Sequence, residues 1–167
     1  ALGAYGLVFS AVIVVNTILG QELGYIVKRE IVGRPPQEAL VKIRDQMVWY
    51  GANYLVFALL VLGVILSGVS GIPQKYLFYI LIIGVSESLG TICYNNMNLF
   101  NQQVMANVAL FCRAAIWIPF VILLGFWDVS LRNEDTVLIA WAVGSVLALA
   151  VPLWAWRDWG WTALWKR

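Results

Sequence analysis

Apolar residues in this chain come in runs long enough to cross a lipid bilayer, and no other feature limits its fold as strongly. The runs lie at about 5–27, 47–66, 76–94, 104–127 and 136–156. A mostly apolar stretch of about 18 residues or more spans a hydrocarbon core of roughly 30 Å as a helix. Composition agrees: 62% of the residues are hydrophobic and only 12% charged. A soluble domain carries about 25% charged residues, so the charge needed to clothe a water-facing surface is missing. A soluble helical bundle would also need polar stripes along its helices, and these runs lack them. The sequence therefore predicts an all-α, polytopic transmembrane bundle of about five spans.

The segments between the runs carry the punctuation. Lys28, Arg29 and Glu30 end the first, and Gly33-Arg34-Pro35-Pro36 reads as a turn. Pro36 suits a first helical position, and Glu38 with Lys42 gives an i,i+4 pair on an exposed helical turn. That stretch is expected to run unbroken into the second span. Gly68, Gly71 and Pro73 mark a short turn. Residues 95–103 read as a polar, uncharged loop, 128–135 as a charged loop, and 157–167 as a Trp-rich interfacial tail. Aromatic residues gather near segment ends, as an interfacial belt would. Cys93 and Cys112 fall within or beside apolar runs and read as small buried apolar residues rather than a disulfide framework.

Loop charge sets an orientation. Five antiparallel spans put Lys28, Arg29, Arg34, Lys42, Arg44, Arg157, Lys166 and Arg167 on one side, and only Lys75 and Arg132 on the other. The positive-inside rule then places the 28–46 loop, the 95–103 loop and the C-terminus in the cytoplasm, in an inner (cytoplasmic) membrane. The N-terminus would face outward. With Ala1 in place of an initiating Met and no leader features, the expectation is one incomplete lobe, residues 1–167, of a longer protein.

Little supports soluble-enzyme chemistry. The chain has no histidine, which removes the commonest general base and metal ligand. It has no GxxxxGK loop, no metal-spaced Cys/His cluster and no GxSxG elbow. The reading is therefore not an enzyme, with no cofactor or metal and no nucleic-acid partner.

Glu22, Glu87 and Arg113 instead stand out, each inside an apolar run. An ionisable residue there is expensive and marks a pathway or an ion pair. Glu87 and Arg113 fall at about the same depth on neighbouring antiparallel helices, about 12–14 Å from the cytoplasmic end. A direct contact or a shared polar cavity is expected. Gly84, Ser88 and Thr91 share the helix face of Glu87 at i, i+3, i+4, i+7 spacing, although close helix packing explains the small residues equally well. Glu22 sits in Gly20-x-x-x-Gly24, a close-packing motif, and either snorkels or caps Lys28 and Arg29. Pro119 permits a kink in the fourth span, and Pro152 reads as a boundary feature. The Asn95–Gln103 cluster either meets a sugar or is a plain polar connection.

One family fits this pattern. Leu2-Gly3-Ala4-Tyr5-Gly6-Leu7, the following span with Gly20 and Gly24, and then Arg29-Glu30 resemble the second helix of polysaccharide-type flippases. Ser86-Glu87-Ser88-Leu89, Asn101-Gln102-Gln103, Ala106-Asn107, Arg113 and Trp117 are similar to that family's fourth and fifth helices. These are the Wzx-like members of the multidrug, oligosaccharidyl-lipid and polysaccharide exporter superfamily. The resemblance implies helices two to six of a two-lobed transporter that flips lipid-linked oligosaccharide by alternating access. The partners it implies are membrane lipid, that substrate and a second transmembrane lobe. It gives Arg113 and Glu87 substrate-binding roles, and Glu87 and Glu22 ion coupling. A cation-coupled drug antiporter of the same superfamily and a non-transporting membrane scaffold are the other readings, the latter requiring Glu87 and Arg113 to be sealed from any cavity.

Overall fold

The computed structural model describes residues 2–19, 21–34, 36–68 and 71–157, with the side chains of 2, 21–25, 36 and 37 excepted. Everything described is helix or short connection. The order is α1 (Leu2–Ile18), α2 (Gln21–Ile31), α3 (Pro36–Ser67), α4 (Gln74–Leu99), α5 (Gln103–Ala114), α6 (Trp117–Trp127), a 3-10 turn (Val129–Leu131), α7 (Glu134–Ala148) and α8 (Ala150–Ala155). Four segments are long and apolar enough to cross a membrane: Glu38–Ser67, Gln74–Leu99, Gln103–Trp127 and Glu134–Ala155. The shorter apolar helix Gly3–Ile18 joins them, giving a helical membrane bundle of about five spans.

The first predicted span, 5–27, is two helices rather than one. The apolar run feeds α1 only as far as Ile18. Thr17 bonds back to the Ile13 carbonyl at 3.0 Å near that end, a contact that weakens a helix locally. Beyond it α2 is amphipathic, with Lys28 and Arg29 in its last turn. It packs Ile31 against Ala39 and Ile43 of α3, and Lys42 Nζ meets Glu30 Oε2 at 2.8 Å. The expected merger of the amphipathic stretch with the second span is present as the 32 residues of α3.

The third span runs past its expected end, through Asn95–Asn98 to Leu99. A tertiary partner accounts for this. Asn96 is buried, and its side-chain amide donates to Gln46 Oε1 of α3 at 3.3 Å, which offsets the cost of burying a side-chain amide. Most of the expected polar loop is thus helix, and Phe100–Gln102 alone connect α4 to α5, with Asn101 at φ 57°.

The fourth span breaks into α5 and α6 at Ala115–Ile116. Pro119 has no N–H, so the Ala115 carbonyl four residues back loses its helical donor. It accepts from Ile118 N at 3.1 Å instead, while Phe111 O takes both Ala115 N and Ile116 N, at 2.9 and 3.1 Å. The fifth span breaks likewise at Leu149, and Pro152 sits in the first turn of α8, at the boundary between the two helices. Asn133 caps α7 by accepting from Thr136 N at 2.9 Å, and Glu134 and Asp135 follow where negative charge suits the helix dipole.

α4 is the central helix. Half of its apolar window is buried, against 6% for the α5–α6 segment. Ile80, Ile83 and Ile92 of α4 pack with Val8, Val12 and Val15 of α1, Tyr50 and Tyr54 of α3, and Leu138 and Trp141 of α7. Its two ends are tied differently. At one, Lys75 Nζ meets Asp135 Oδ2 at 3.0 Å and the Tyr76 hydroxyl donates to Glu134. At the other, the Gln46–Asn96 bond is joined by Trp156 Nε1 donating to Gln102 Oε1 at 3.2 Å. α6 buries none of its residues, leaving Phe120, Leu123 and Phe126 outward, which suits hydrocarbon as solvent.

Candidate functional site

The two ionisable residues expected to meet at depth do so. Arg113 sits in the last turn of α5, where the Pro119 break has created a helix C-terminus whose dipole favours a cation. Its Nε lies 3.2 Å from Glu87 Oε2 of α4. Its Nη1 donates to the Glu87 carbonyl at 3.1 Å and to Thr91 Oγ1 at 3.0 Å, and Thr91 Oγ1 donates to the Glu87 carbonyl at 2.9 Å. Among the described residues, nothing bonds to Nη2 of Arg113.

Arginine reaches this position because Gly90 is flat. A Cβ there would stand 2.8 Å from Arg113 Nη1 and 3.0 Å from its Cδ, so a side chain at 90 would make the guanidinium shift from its place against α4. The glycine serves a close approach here rather than a turn.

The other oxygen of Glu87 is held from α7. Trp141 Nε1 donates to Oε1 at 2.9 Å and Ser145 Oγ donates to it at 2.7 Å. The carboxylate therefore has one cation and two neutral donors, which is how a charge survives at lipid depth. The Trp141 ring stacks on Trp117, centroids 6.4 Å apart, and Trp117 opens α6 directly after the break. Gly144 lets that contact form, since a Cβ on it would meet Trp117 Cδ1 at 3.0 Å. The Trp117 indole N–H is buried, with no acceptor among the described residues.

Glu87 and Arg113 are 15% and 13% exposed, so the pair is close-packed without being sealed. The expected polar face of α4 divides three ways instead of lining one cavity. Gly84 packs on Val15 of α1, Ser88 accepts from the Tyr54 hydroxyl of α3 at 2.9 Å, and Thr91 serves Arg113. The Glu22 side chain, with the glycine motif around it, lies outside the described residues. Cys93 and Cys112 are free thiols, and no group of His, Cys, Asp and Glu among the described residues could hold a metal ion.

Trp141 and Ser145 are the site residues that sequence reasoning missed. Their signal was present: two polar-tipped residues four apart on the fifth span, with Gly144 between them.

Compared with known protein families, curated proteins and solved structures, the chain matches none.

Proposed function

We propose that the chain is one lobe of a flippase for lipid-linked oligosaccharide in the cytoplasmic membrane, with Arg113 as the contact for the lipid's diphosphate. The observation that carries this reading is the Arg113–Glu87 pair at mid-depth beside a helix break. It leaves two donors, Arg113 Nη2 and the Trp117 indole, without an acceptor among the described residues. A guanidinium favours oxyanions of phosphate, which it meets as a planar fork. Substrate binding would exchange the Glu87 carboxylate for phosphate on Arg113, leaving Glu87 to Trp141, Ser145 and a proton. Bending at Ala115–Ile116 would supply the movement, and a second transmembrane lobe would complete the cavity. The basic 28–46 loop and the C-terminus would then face the cytoplasm. Labelling by impermeant maleimide of a cysteine placed at 34, and not of one placed at 128, in intact cells would contradict that orientation.

Partial exposure of the pair favours this reading over the scaffold, which requires a sealed site. The drug-antiporter reading is favoured by the indole donor and stacked tryptophans around Glu87. Native mass spectrometry of the purified chain with a polyprenyl-diphosphate oligosaccharide, and with a neutral polyprenyl glycoside, tests it. Diphosphate-dependent binding that is lost in Arg113→Gln and partly kept in Arg113→Lys is expected. Equal binding of the two lipids, or an unchanged Arg113→Gln variant, would overturn the proposal.

A further inference from the structure

α2 stands apart from the spans. It is 11 residues long, too short to cross a bilayer, and it packs beside the start of α3 through Ile31. Away from that contact, Ile26 and Val32, the latter just past the helix end, are 54% and 70% exposed, with exposed Arg29 between them. Lys28 is half-buried alongside. Apolar side chains turned outward next to cations suit neither water nor hydrocarbon. They suit the boundary where head groups meet acyl chains.

Neighbouring charge fixes the same level. Lys42 of α3 meets Glu30, and Arg44 Nη2 lies 2.7 Å from Asp45 Oδ1; charges so placed belong among head groups rather than at lipid depth. Exposed Trp154 lies at this end too, with the Arg157 guanidinium 4.9 Å from its ring centre, as in an interfacial aromatic belt. The sign is one-sided. Among the described residues this end has six cations and three acids, and the adjoining Glu22, Asp158, Lys166 and Arg167 of the sequence cancel. Pairs formed within the group leave that excess unchanged. The opposite end has Lys75 and Arg132 against Asp128, Glu134 and Asp135. Lys28 itself has no ion pair among the described residues.

We propose that α2 is a surface helix that docks on anionic phospholipid, with Ile26 and Val32 among the upper acyl carbons and Lys28 on the phosphate. The surface uses neither Glu87 nor Arg113, so it stands or falls separately from the transport reading. The purified chain, stripped of lipid in mild detergent, is offered phosphatidylglycerol and phosphatidylcholine of matched acyl chains, and native mass spectrometry compares what is retained. Phosphatidylglycerol should bind about fivefold more tightly, Lys28→Gln should remove most of that factor, and Lys28→Arg should keep it. Arg132→Gln, at the opposite end, should leave the preference unchanged. Raising ammonium acetate about tenfold should shrink the preference in the native chain, an arm that needs no variant. Ile26→Gln should weaken retention of both lipids alike. Equal binding of the two lipids, a preference unchanged in K28Q, or an equal loss in R132Q would overturn the proposal.

Discussion

Trp141 and Glu87 are joined by an indole-to-carboxylate hydrogen bond of 2.9 Å, and the same indole ring lies stacked on Trp117 at the start of α6. One side chain therefore touches both the buried charge and the segment beyond the helix break. Any swing of α6 about Ala115–Ile116 disturbs the ring that steadies Glu87, and any change in Glu87 alters what holds that ring.

Removing one partner of the ion pair strands a charge at lipid depth. Glu87→Gln and Arg113→Gln should each destabilise the bundle by about 3 kcal/mol, measured by reversible unfolding in detergent. Replacing both with methionine should recover most of the loss. A double variant as unstable as the sum of the singles would show that the two residues do not act as a pair.

Gly90→Ala tests the close approach of Arg113 to α4. The new methyl must displace the guanidinium, so a loss of about 1–2 kcal/mol is expected. Gly63 of α3 has open space around its Cβ position, and Gly63→Ala should be neutral or stabilising by up to about 1 kcal/mol. The contrast between the two glycines, read in the same unfolding assay, is the measurement.

Pro119→Ala restores the missing backbone donor. α5 and α6 should then form one straighter helix, narrowing the spread of distances between spin labels placed at 108 and 124 in pulsed electron resonance. An unchanged distance distribution would assign the break to packing around Trp117 rather than to proline.

The Glu30 carboxylate is held below its ordinary pKa of 4.5, chiefly by its hydrogen bond to Lys42. A group depressed in the folded state contributes stability above its unfolded value and loses it as pH falls through the folded one. Attachment of α2 to α3 should therefore be unaffected near neutrality and weaken in acid. Amide exchange of residues 26–31 should accelerate at low pH in the native chain and show no such acid step in Glu30→Gln.

Fold class was legible because hydrocarbon tolerates so few sequence patterns. The Glu87–Arg113 contact was legible because helical rise converts sequence position into depth. What escaped was set by tertiary partners. Nothing near Asn96 in sequence signals that Gln46 will accept its hydrogen bond and draw Asn95–Asn98 into α4. Trp141 and Ser145 gain meaning only once α7 lies beside Glu87. The division of the first span was missed because mixed residues at 21–25 interrupt an apolar pattern too weakly to register against its neighbours.

The Phe100–Gln102 link binds α5 to α4 within three residues, and the Gln102–Trp156 bond ties that link to α8. The arginine thus sits on a segment tied at both ends, while α6, with no fully buried residue, is held beyond the break by the Trp117–Trp141 stack and the Arg132–Gly125 bond. Bracing is unequal among the helices: α4, α5, α7 and α8 are tied to one another by side-chain bonds at both ends of the bundle, and α6 joins them through one aromatic stack and one bond to its backbone.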